Sequence, residues 1–184
     1  MATMSDTAQP ARELRSGASE LPPADYIEET RSLYSSLGYD DYRWAERTEE
    51  PAWVPINKPL RSAKVAIVGS GGVYRTGQIA FHTKDDTSIR VIDVDTPADD
   101  LRIAHFAYDQ TDARRDPNVV FPLERLRELA DQGVVGGVSP RHFGFMGGIY
   151  STRRLLENTA EMLKEQLLAM KDADELDVVL LVPV

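Results

Sequence analysis

The sequence predicts a layered α/β fold with a mostly parallel sheet, helices on both faces, and an N-terminal arm. A short apolar segment at 64–68 runs into a group of glycines, which is typical of the first strand of such a domain and its turn into a helix. The final segment "DVVLLVPV" is wholly apolar, as expected of a central parallel strand covered on both faces. Helical patterns lie between them at 121–133 and 151–176, so we expect right-handed strand, helix, strand crossovers.

The region before the first strand predicts an arm that contains one helix. Residues 1–22 lack periodicity, and we expect them to be disordered. Asp25 stands where it can cap an amphipathic helix that ends at Gly38, since aspartate accepts hydrogen bonds from free N–H groups and glycine tolerates positive φ. The rest of region 23–62 is rich in proline, which predicts an extended segment anchored by aromatic side chains. Its prolines and tryptophans are Trp44, Pro51, Trp53, Pro55 and Pro59.

Residues 63–184 are predicted to form the α/β domain, incomplete at its C-terminus. Leucines at helical spacing predict a helix in "FPLERLRELADQG", and Gly133 ends it. A long helix is predicted from Ser151, because apolar residues there repeat near every 3.6 positions. The strands expected between the first and the last are "TSIRVIDV", "DLRIAHFAYD" and a short one in "VVGGVSP".

Composition and charge exclude several classes of function. No apolar run approaches the roughly 20 residues of a membrane-spanning helix, and the N-terminus lacks the pattern of a secretory signal, so we expect a cytoplasmic protein. The formal net charge is −9, which repels phosphate backbones and disfavours nucleic acid as a partner. The chain has no cysteine, so disulfides, thiolate nucleophiles and cysteine metal sites are absent from its 184 residues.

The glycines after the first strand indicate a turn beside a site. The run "GSGGVYRTG" contains Gly71 and Gly72, whose backbone N–H groups can close on an anion such as a substrate carboxylate. Its spacing does not match the dinucleotide fingerprint, and it has no P-loop lysine. A turn is therefore favoured over a nucleotide site, and anion binding stays open.

A second polar cluster follows the strand in "DLRIAHFAYD". His105 and Asp109 are candidates for general acid and base chemistry, because imidazole titrates near neutral pH and a carboxylate can orient it. Tyr108 lies between them. The aspartates of this stretch can also bind a hard cation, or serve only as turn and cap residues in a solvated loop.

The third cluster is "SPRHFGFMGG", which is expected at the end of a short strand. Arg141 is suited to hold a carboxylate, and His142 can donate a proton. The alternative is a buried histidine satisfied by backbone and an arginine paired with an acid. The glycines at 144, 147 and 148 predict a mobile or tightly bent loop.

Together these stretches resemble the selenoprotein B family of glycine, sarcosine, betaine and D-proline reductases. The resemblance covers about residues 25 to 184. It rests on "KVAIVGSGGVY", on the closing "DVVLLVPV", and above all on the central block, in which a histidine, aromatic and aspartate cluster is followed by "DPNVVFPLERL".

The resemblance implies a redox pair directly after the last strand, a selenocysteine or cysteine followed two or three residues later by another. The selenol or thiol attacks the carbon that bears the amino group, and a dithiol restores the enzyme. A pyruvoyl group on a partner subunit can hold the substrate's amino group as a Schiff base. This sequence ends at Val184 without any cysteine. Our hypothesis is that Val184 precedes a UGA selenocysteine codon; a natural short scaffold paralogue and a deliberately shortened chain are the alternatives.

We therefore expect a subunit of a reductase that cleaves a C–N or similar bond of a small amino-acid-like substrate. A non-catalytic scaffold or substrate-binding paralogue is the second expectation, and an anion- or nucleotide-binding module is the third. We expect no cofactor or metal in this chain, a pyruvoyl-bearing subunit or thiol-reducing protein as partner, and a homo-oligomer. From the resemblance and from side-chain chemistry, we expect His105 and His142 to supply the proton that the departing amine needs. We expect Arg141 to hold the substrate carboxylate. The candidates are His105, Asp109 and His142 for catalysis, and Gly71, Gly72, Tyr108 and Arg141 for substrate binding.

Overall fold

The computed structural model describes residues 25–41, 48–51 and 54–184. The chain divides into two compact units, Met1–Thr48 and Glu49–Val184. Residues 1–22 and both tryptophans lie outside the described residues, so the disordered terminus and the aromatic anchors stay predictions.

The predicted N-terminal helix is confirmed as α1, Tyr26–Ser36. The Asp25 carboxylate accepts a hydrogen bond from the Glu28 backbone N–H at 3.2 Å, which satisfies one of the free donors at the start of the helix. Gly38 adopts a φ of 76° just beyond the last turn. This left-handed conformation ends the helix at the place that the sequence predicts.

The second unit is built around a mostly parallel sheet, which confirms the predicted fold class. Strand β1 is central, with β7 parallel along one edge and β5 and then β6 parallel along the other. Strand β3 runs antiparallel to β6 at the far side, and β2 and β4 form a separate antiparallel pair. The strands are β1 Lys64–Gly69, β2 Val73–Arg75, β3 Ile89–Asp93, β4 Leu101–Ile103, β5 Gly137–Val138, β6 Arg141–Phe145 and β7 Val178–Val182.

Helix α3 and the long helix after Ser151 lie where the leucine patterns predict them, whereas the short α2 falls in a stretch for which no helix is predicted. Helix α3 ends before Gly133, whose φ is 71°. The long helix predicted from Ser151 is α4, a π-helical segment at Leu155–Ala160, and then α5. The bounds are α2 Thr111–Arg115, α3 Leu123–Asp131, α4 Thr152–Arg154 and α5 Glu161–Asp172. In the parts of the chain that the structure describes, no helix has the length and apolarity needed to cross a bilayer.

The core is layered because alternate side chains of β1 point to opposite faces of the sheet. Val65 and Ile67 pack with β2, β4 and α3, whereas Ala66 and Val68 pack with α5. All four side chains are buried. A strand covered on both faces needs a continuous apolar run, so the pattern at 64–68 is the sequence signature of the central strand.

The chain leaves β1 for β2, not for the expected helix. The reason is that strand partners satisfy the backbone of the glycine turn. Gly72 N donates to Phe145 O, and Ala104 N donates to Gly72 O, both at 2.9 Å. These bonds draw the chain across β6 toward β4, so the prediction of a strand and helix unit at this turn is wrong.

Strand β7 is parallel to β1, as predicted, but it is not a central strand in this structure. Among the described residues it pairs with β1 alone. Leu180 and Leu181 are 41% and 68% exposed. The described residues therefore cover this strand only in part: Val178, Val179 and Val182 pack against the two core clusters, whereas Leu180 and Leu181 stay exposed.

Gly144 is required by close packing between β6 and β2. A Cβ at Gly144 would lie 2.0 Å from the carbonyl oxygen of Val73, which belongs to the backbone and cannot rotate away. We expect Gly144→Ala to lower stability by about 1–3 kcal/mol through overpacking, as measured by urea unfolding. Gly137→Ala is the matched control, since its Cβ would meet nothing closer than 3.9 Å. Equal stability of both variants would contradict the packing of β2 on β6.

Candidate functional site

The candidate site lies at the carboxyl edge of the parallel strands, where the turn after β1 meets the segments after β6 and β7. Ser70 connects all three. Its N–H donates to Val182 O at 3.1 Å, its carbonyl accepts from Gly147 N at 2.8 Å, and its hydroxyl accepts from Val184 N at 2.9 Å. We call residues 70–72, 105–110, 146–150 and 182–184 the carboxyl-edge site. Ligands of open α/β sheets gather at this edge.

The glycines of the turn are closely approached, Gly72 by backbone and Gly71 by two valine side chains. Gly72 has a φ of 72°, and a Cβ there would lie 2.1 Å from Ala104 O. A Cβ at Gly71 would lie 3.1 Å from Val120 and 3.3 Å from Val184. The turn therefore holds the site together through close packing. A substrate contact by Gly71 or Gly72 stays a prediction.

His105 is the most buried polar group of the carboxyl-edge site. Its Nδ1 accepts a hydrogen bond from Ala107 N at 3.0 Å, and its ring stacks on Phe106 with a centroid distance of 5.7 Å. Its Nε2 is buried and has no hydrogen-bond partner among the described residues. Burial lowers the pKa of the imidazole below its ordinary value of 6.5, because the charged form is poorly solvated there.

Tyr108 ties the histidine to the glycine turn. Its ring lies 4.9 Å from the His105 ring, and its hydroxyl donates to Gly71 O at 2.9 Å. Burial raises the pKa of the phenol, and the nearby Arg114 opposes this in part. Tyr108 is therefore a neutral donor near pH 7 that is already engaged with backbone.

Asp109 acts as a turn and cap residue. Its exposed carboxylate accepts from Thr111 N at 2.9 Å and from Thr111 Oγ1 at 2.7 Å, at the start of α2. These two bonds lower the pKa of the carboxyl. The geometry agrees with the turn and cap role that the sequence left open for Asp109. Its carboxylate pairs with Thr111 and not with His105. In the described ranges no group of three or more histidine, aspartate and glutamate side chains could hold a metal ion.

His142 lies within β6, not beyond the end of a strand. Its side chain is fully buried, its Nδ1 accepts from Ile67 N at 3.0 Å, and its ring meets Phe121 edge-on. The bond falls between the positions where β1 pairs with β5 and with β6, so the imidazole replaces a missing backbone acceptor. Burial lowers the pKa of His142 to about 4. The predicted position at the end of a strand is wrong, because the interruption at Ser139 and Pro140 ends β5 and the chain then resumes as β6. The other expectation, a buried histidine satisfied by backbone, agrees with this geometry.

Arg141 points to the opposite face of β6 from His142. Its guanidinium lies 3.5 Å from the Glu175 carboxylate and 3.5 Å from Gln166 Oε1, against α5. It pairs in register with Asp93, three positions before Gly144, and so lies back from the carboxyl edge. The structure thus separates Arg141 from His105 and Tyr108.

Sequence reasoning missed three members of the site. Ser70 is signalled only by its place directly after β1. Phe106 and Tyr150 come from distant segments, and their rings lie 5.7 Å apart on the outside of the site. A Cβ at Gly148 would lie 2.2 Å from the Phe106 ring, which explains why this bend is glycine. These contacts join residues about 40 positions apart, so no local pattern announces them.

Comparison with known proteins identifies the family of this chain. The sequence model of "Glycine/sarcosine/betaine reductase selenoprotein B" matches residues 41–182. The chain belongs to this selenoprotein B family. All the candidate residues between Gly71 and His142 lie inside the match.

Three relatives have assigned names. The D-proline reductase subunit gamma of Acetoanaerobium sticklandii is 34% identical over 65% of this chain and 50% of its own length. The sarcosine reductase complex component B subunit beta of Peptoclostridium acidaminophilum is 33% identical over 45% of this chain and 20% of its own. The glycine reductase complex component B subunit gamma of Symbiobacterium thermophilum is 30% identical over 61% and 29%. The chain spans half or less of these relatives, and no solved structure matches it significantly.

The bond between Tyr108 and Gly71 can be tested by removing one hydroxyl. We expect Tyr108→Phe to lower the free energy of unfolding by about 1 kcal/mol, the usual net value of such a bond. The control is Tyr150→Phe, because Tyr150 is 70% exposed; we expect a change within about 0.5 kcal/mol. Urea unfolding of both variants measures this, and an unchanged Tyr108→Phe protein would contradict the proposed tie.

The depressed pKa of His142 makes stability depend on pH. The unfolded chain binds the proton near 6.5 and the folded chain near 4, so stability is unaffected above this window and falls as pH drops through it. At about 1.4 kcal/mol per pH unit, the loss between about pH 7.5 and about pH 5 is about 2 kcal/mol. His142→Asn keeps an acceptor for Ile67 N but cannot titrate, and should show a pH dependence smaller by that amount. His82→Asn, at an exposed site, is the control; identical slopes for wild type and His142→Asn would refute the assignment.

Proposed function

We propose that this chain is the substrate-binding part of a reductase subunit that uses a selenol or thiol to cleave a C–N or similar bond. The proposed substrates are small amino acids of the glycine, betaine, sarcosine or D-proline type. Support comes from the family match over residues 41–182 and from the names of the three relatives. The single observation that carries the proposal is the convergence of His105, the glycine turn and the end of β7 at one edge.

The proposed reaction needs a nucleophile from outside these residues, because the 184-residue sequence has no cysteine. The selenolate or thiolate forms a bond to the carbon that bears the amino group, the C–N bond breaks, and the departing nitrogen takes a proton. One thiol of a dithiol then bonds to the selenium or sulfur of the adduct, the bond to the substrate carbon breaks, and that carbon takes a proton. The second thiol releases the selenol or thiol, and the dithiol becomes a disulfide. For the substrates that have a primary or secondary amine, namely glycine, sarcosine and D-proline, we propose that a pyruvoyl group on a partner subunit holds the amino group.

A partner subunit is part of this proposal. The sarcosine and glycine relatives are named as subunits of component B of a reductase complex, and we infer a similar assembly for this chain. A second candidate is a binding or scaffold subunit that positions substrate for a nucleophile on another chain. Both candidates use the same carboxyl-edge site.

The nucleotide alternative has less support. Anion cradles of that kind lie at the start of a helix, whereas this glycine turn enters β2. The close approaches of Ala104 and Val120 explain Gly72 and Gly71 without a ligand. We therefore propose the reductase role in preference to nucleotide binding.

The proposal is tested on the complex purified from its natural source. D-proline, sarcosine, betaine and glycine are each supplied with dithiothreitol as the dithiol, and the released amine or ring-opened acid is measured by mass spectrometry. We expect dithiol-dependent turnover of at least one, abolished by prior treatment with iodoacetamide at about pH 6, where a selenolate persists and most thiols are protonated. Turnover that survives complete alkylation would refute the covalent mechanism. Absence of turnover with all four substrates would refute the proposed reductase activity.

A further inference from the structure

The hydrogen bonds of His105 determine which ring nitrogen carries the proton. Nδ1 accepts the Ala107 N–H at 3.0 Å, so a hydrogen on Nδ1 would collide with that donor. A neutral imidazole has one N–H, and here it must be on Nε2. His105 is 93% buried, and Nε2 has no partner among residues 25–41, 48–51 and 54–184. A buried donor without a partner is rare and calls for a ligand or a water.

The neighbours of His105 do not favour a positive charge on the ring. Phe106 and Tyr108 pack on it, and the Tyr108 hydroxyl is directed to Gly71 O. Gln110 donates through its Nε2 to the carbonyl of His105 itself. Arg114, which acts on Tyr108, is a cation and does not favour a second positive charge. Asp109, the acidic residue of this segment, is engaged by Thr111.

We propose that His105 binds one oxygen of the substrate carboxylate through a neutral Nε2–H group, in place of the proton-donor role expected from the sequence. The inference rests on the proposed function and assigns the end of the substrate that this residue recognises. An N–H donor suits an anionic oxygen. It cannot accept a hydrogen bond from an ammonium group, and a neutral imidazole is too weak an acid to protonate a departing amine.

A ligand reaches this donor when the Phe106 ring moves aside. It stacks on His105 and is 39% exposed, and its outer neighbour Tyr150 is 70% exposed. A ring that is partly in solvent can turn aside at lower cost than one in the core. In the proposal, substrate entry displaces Phe106, and the carboxylate then satisfies Nε2–H.

The first test does not depend on turnover. Nitrogen-15 NMR of the full chain reports the tautomer and protonation of His105, with His82 as the internal control. His82 makes the same local bond, from Lys84 N to Nδ1 at 3.1 Å, but on the surface. Because burial lowers the pKa of His105, we expect the ring to stay in the neutral Nε2–H form at pH values that protonate an ordinary imidazole. Protonation near pH 6.5, or an Nδ1–H tautomer, would overturn the proposal.

Matched ligands then identify the partner of Nε2–H. Pyrrolidine has the ring and amine of D-proline but no carboxylate. We expect D-proline, added at millimolar concentration, to shift the His105 Nε2–H resonance, and pyrrolidine to leave it in place. No shift with D-proline, sarcosine, betaine or glycine would mean that an internal water satisfies the donor and would overturn the inference. Equal shifts with pyrrolidine would overturn it as well.

The second test uses the natural complex with variant chains. His105→Gln retains an N–H donor but cannot carry a proton, whereas His105→Leu has no donor. We expect His105→Gln to keep kcat/KM within about tenfold and His105→Leu to lose about 100-fold, mostly in KM, on the scale of a single oriented donor. His82→Gln should match wild type. An equal loss of kcat/KM in both His105 variants, at unchanged melting temperature, would overturn the proposal in favour of the proton-donor role. If His105→Gln fails to fold, the tautomer measured by NMR tests the proposal instead. A wild-type complex without activity would refute the proposed function and leave the NMR result standing.

Discussion

The architecture depends on the contacts made where β1 ends. Ser70 bonds to the segments after β6 and β7 through its N–H, carbonyl and hydroxyl groups. Two residues later, the Ala104 carbonyl packs against Gly72 so closely that a Cβ at this position would collide with it. This one turn therefore fixes the ends of three parallel strands and the start of the His105 segment. Because the burial of β1 on both faces holds the turn rigidly, the geometry around His105 is preorganised by the core.

The two buried histidines show how environment divides roles between similar side chains. Each uses Nδ1 to accept a backbone N–H, and each has a buried Nε2 without a described partner. His142 lies inside the sheet against Phe121, and its Nδ1 accepts the Ile67 N–H of β1, which lacks a backbone acceptor. His105 lies at the carboxyl edge, next to a ring that is partly exposed. Access, and not the chemistry of the imidazole, separates the structural histidine from the functional candidate.

The sequence was sufficient for the elements with strong local patterns, namely β1, α3 and the long helix after Ser151. It also placed His105 and Tyr108 directly after a strand, but their contact with the glycine turn depends on the bonds from Ala104 N to Gly72 O and from the Tyr108 hydroxyl to Gly71 O, which no local pattern shows. It could not place His142, because the partner of its Nδ1 is 75 positions away. It could not tell that Arg141 faces α5, since a one-residue difference in where β6 begins moves every side chain to the other face.

The family-specific stretch "DPNVVFPLERL" is explained by helix capping. Asn118 Oδ1 accepts from Glu124 N, and its Nδ2 donates to the Glu124 carboxylate, each at 3.1 Å. Asp116 in turn accepts from Asn118 N at 3.0 Å. This reciprocal arrangement starts α3 at a fixed place, and α3 covers the face of the sheet where His142 is buried. A specific motif can therefore serve the fold that supports a site without contacting substrate.

The most direct test of the account is a crystal structure of the complete protein with D-proline bound. The account predicts the ligand at the carboxyl-edge site, with a carboxylate oxygen within roughly 3 Å of His105 Nε2 and the Phe106 ring moved aside. A ligand bound elsewhere, such as the cavity beside α5 lined by Glu157, Glu161 and Glu165, with His105 still covered, would contradict it.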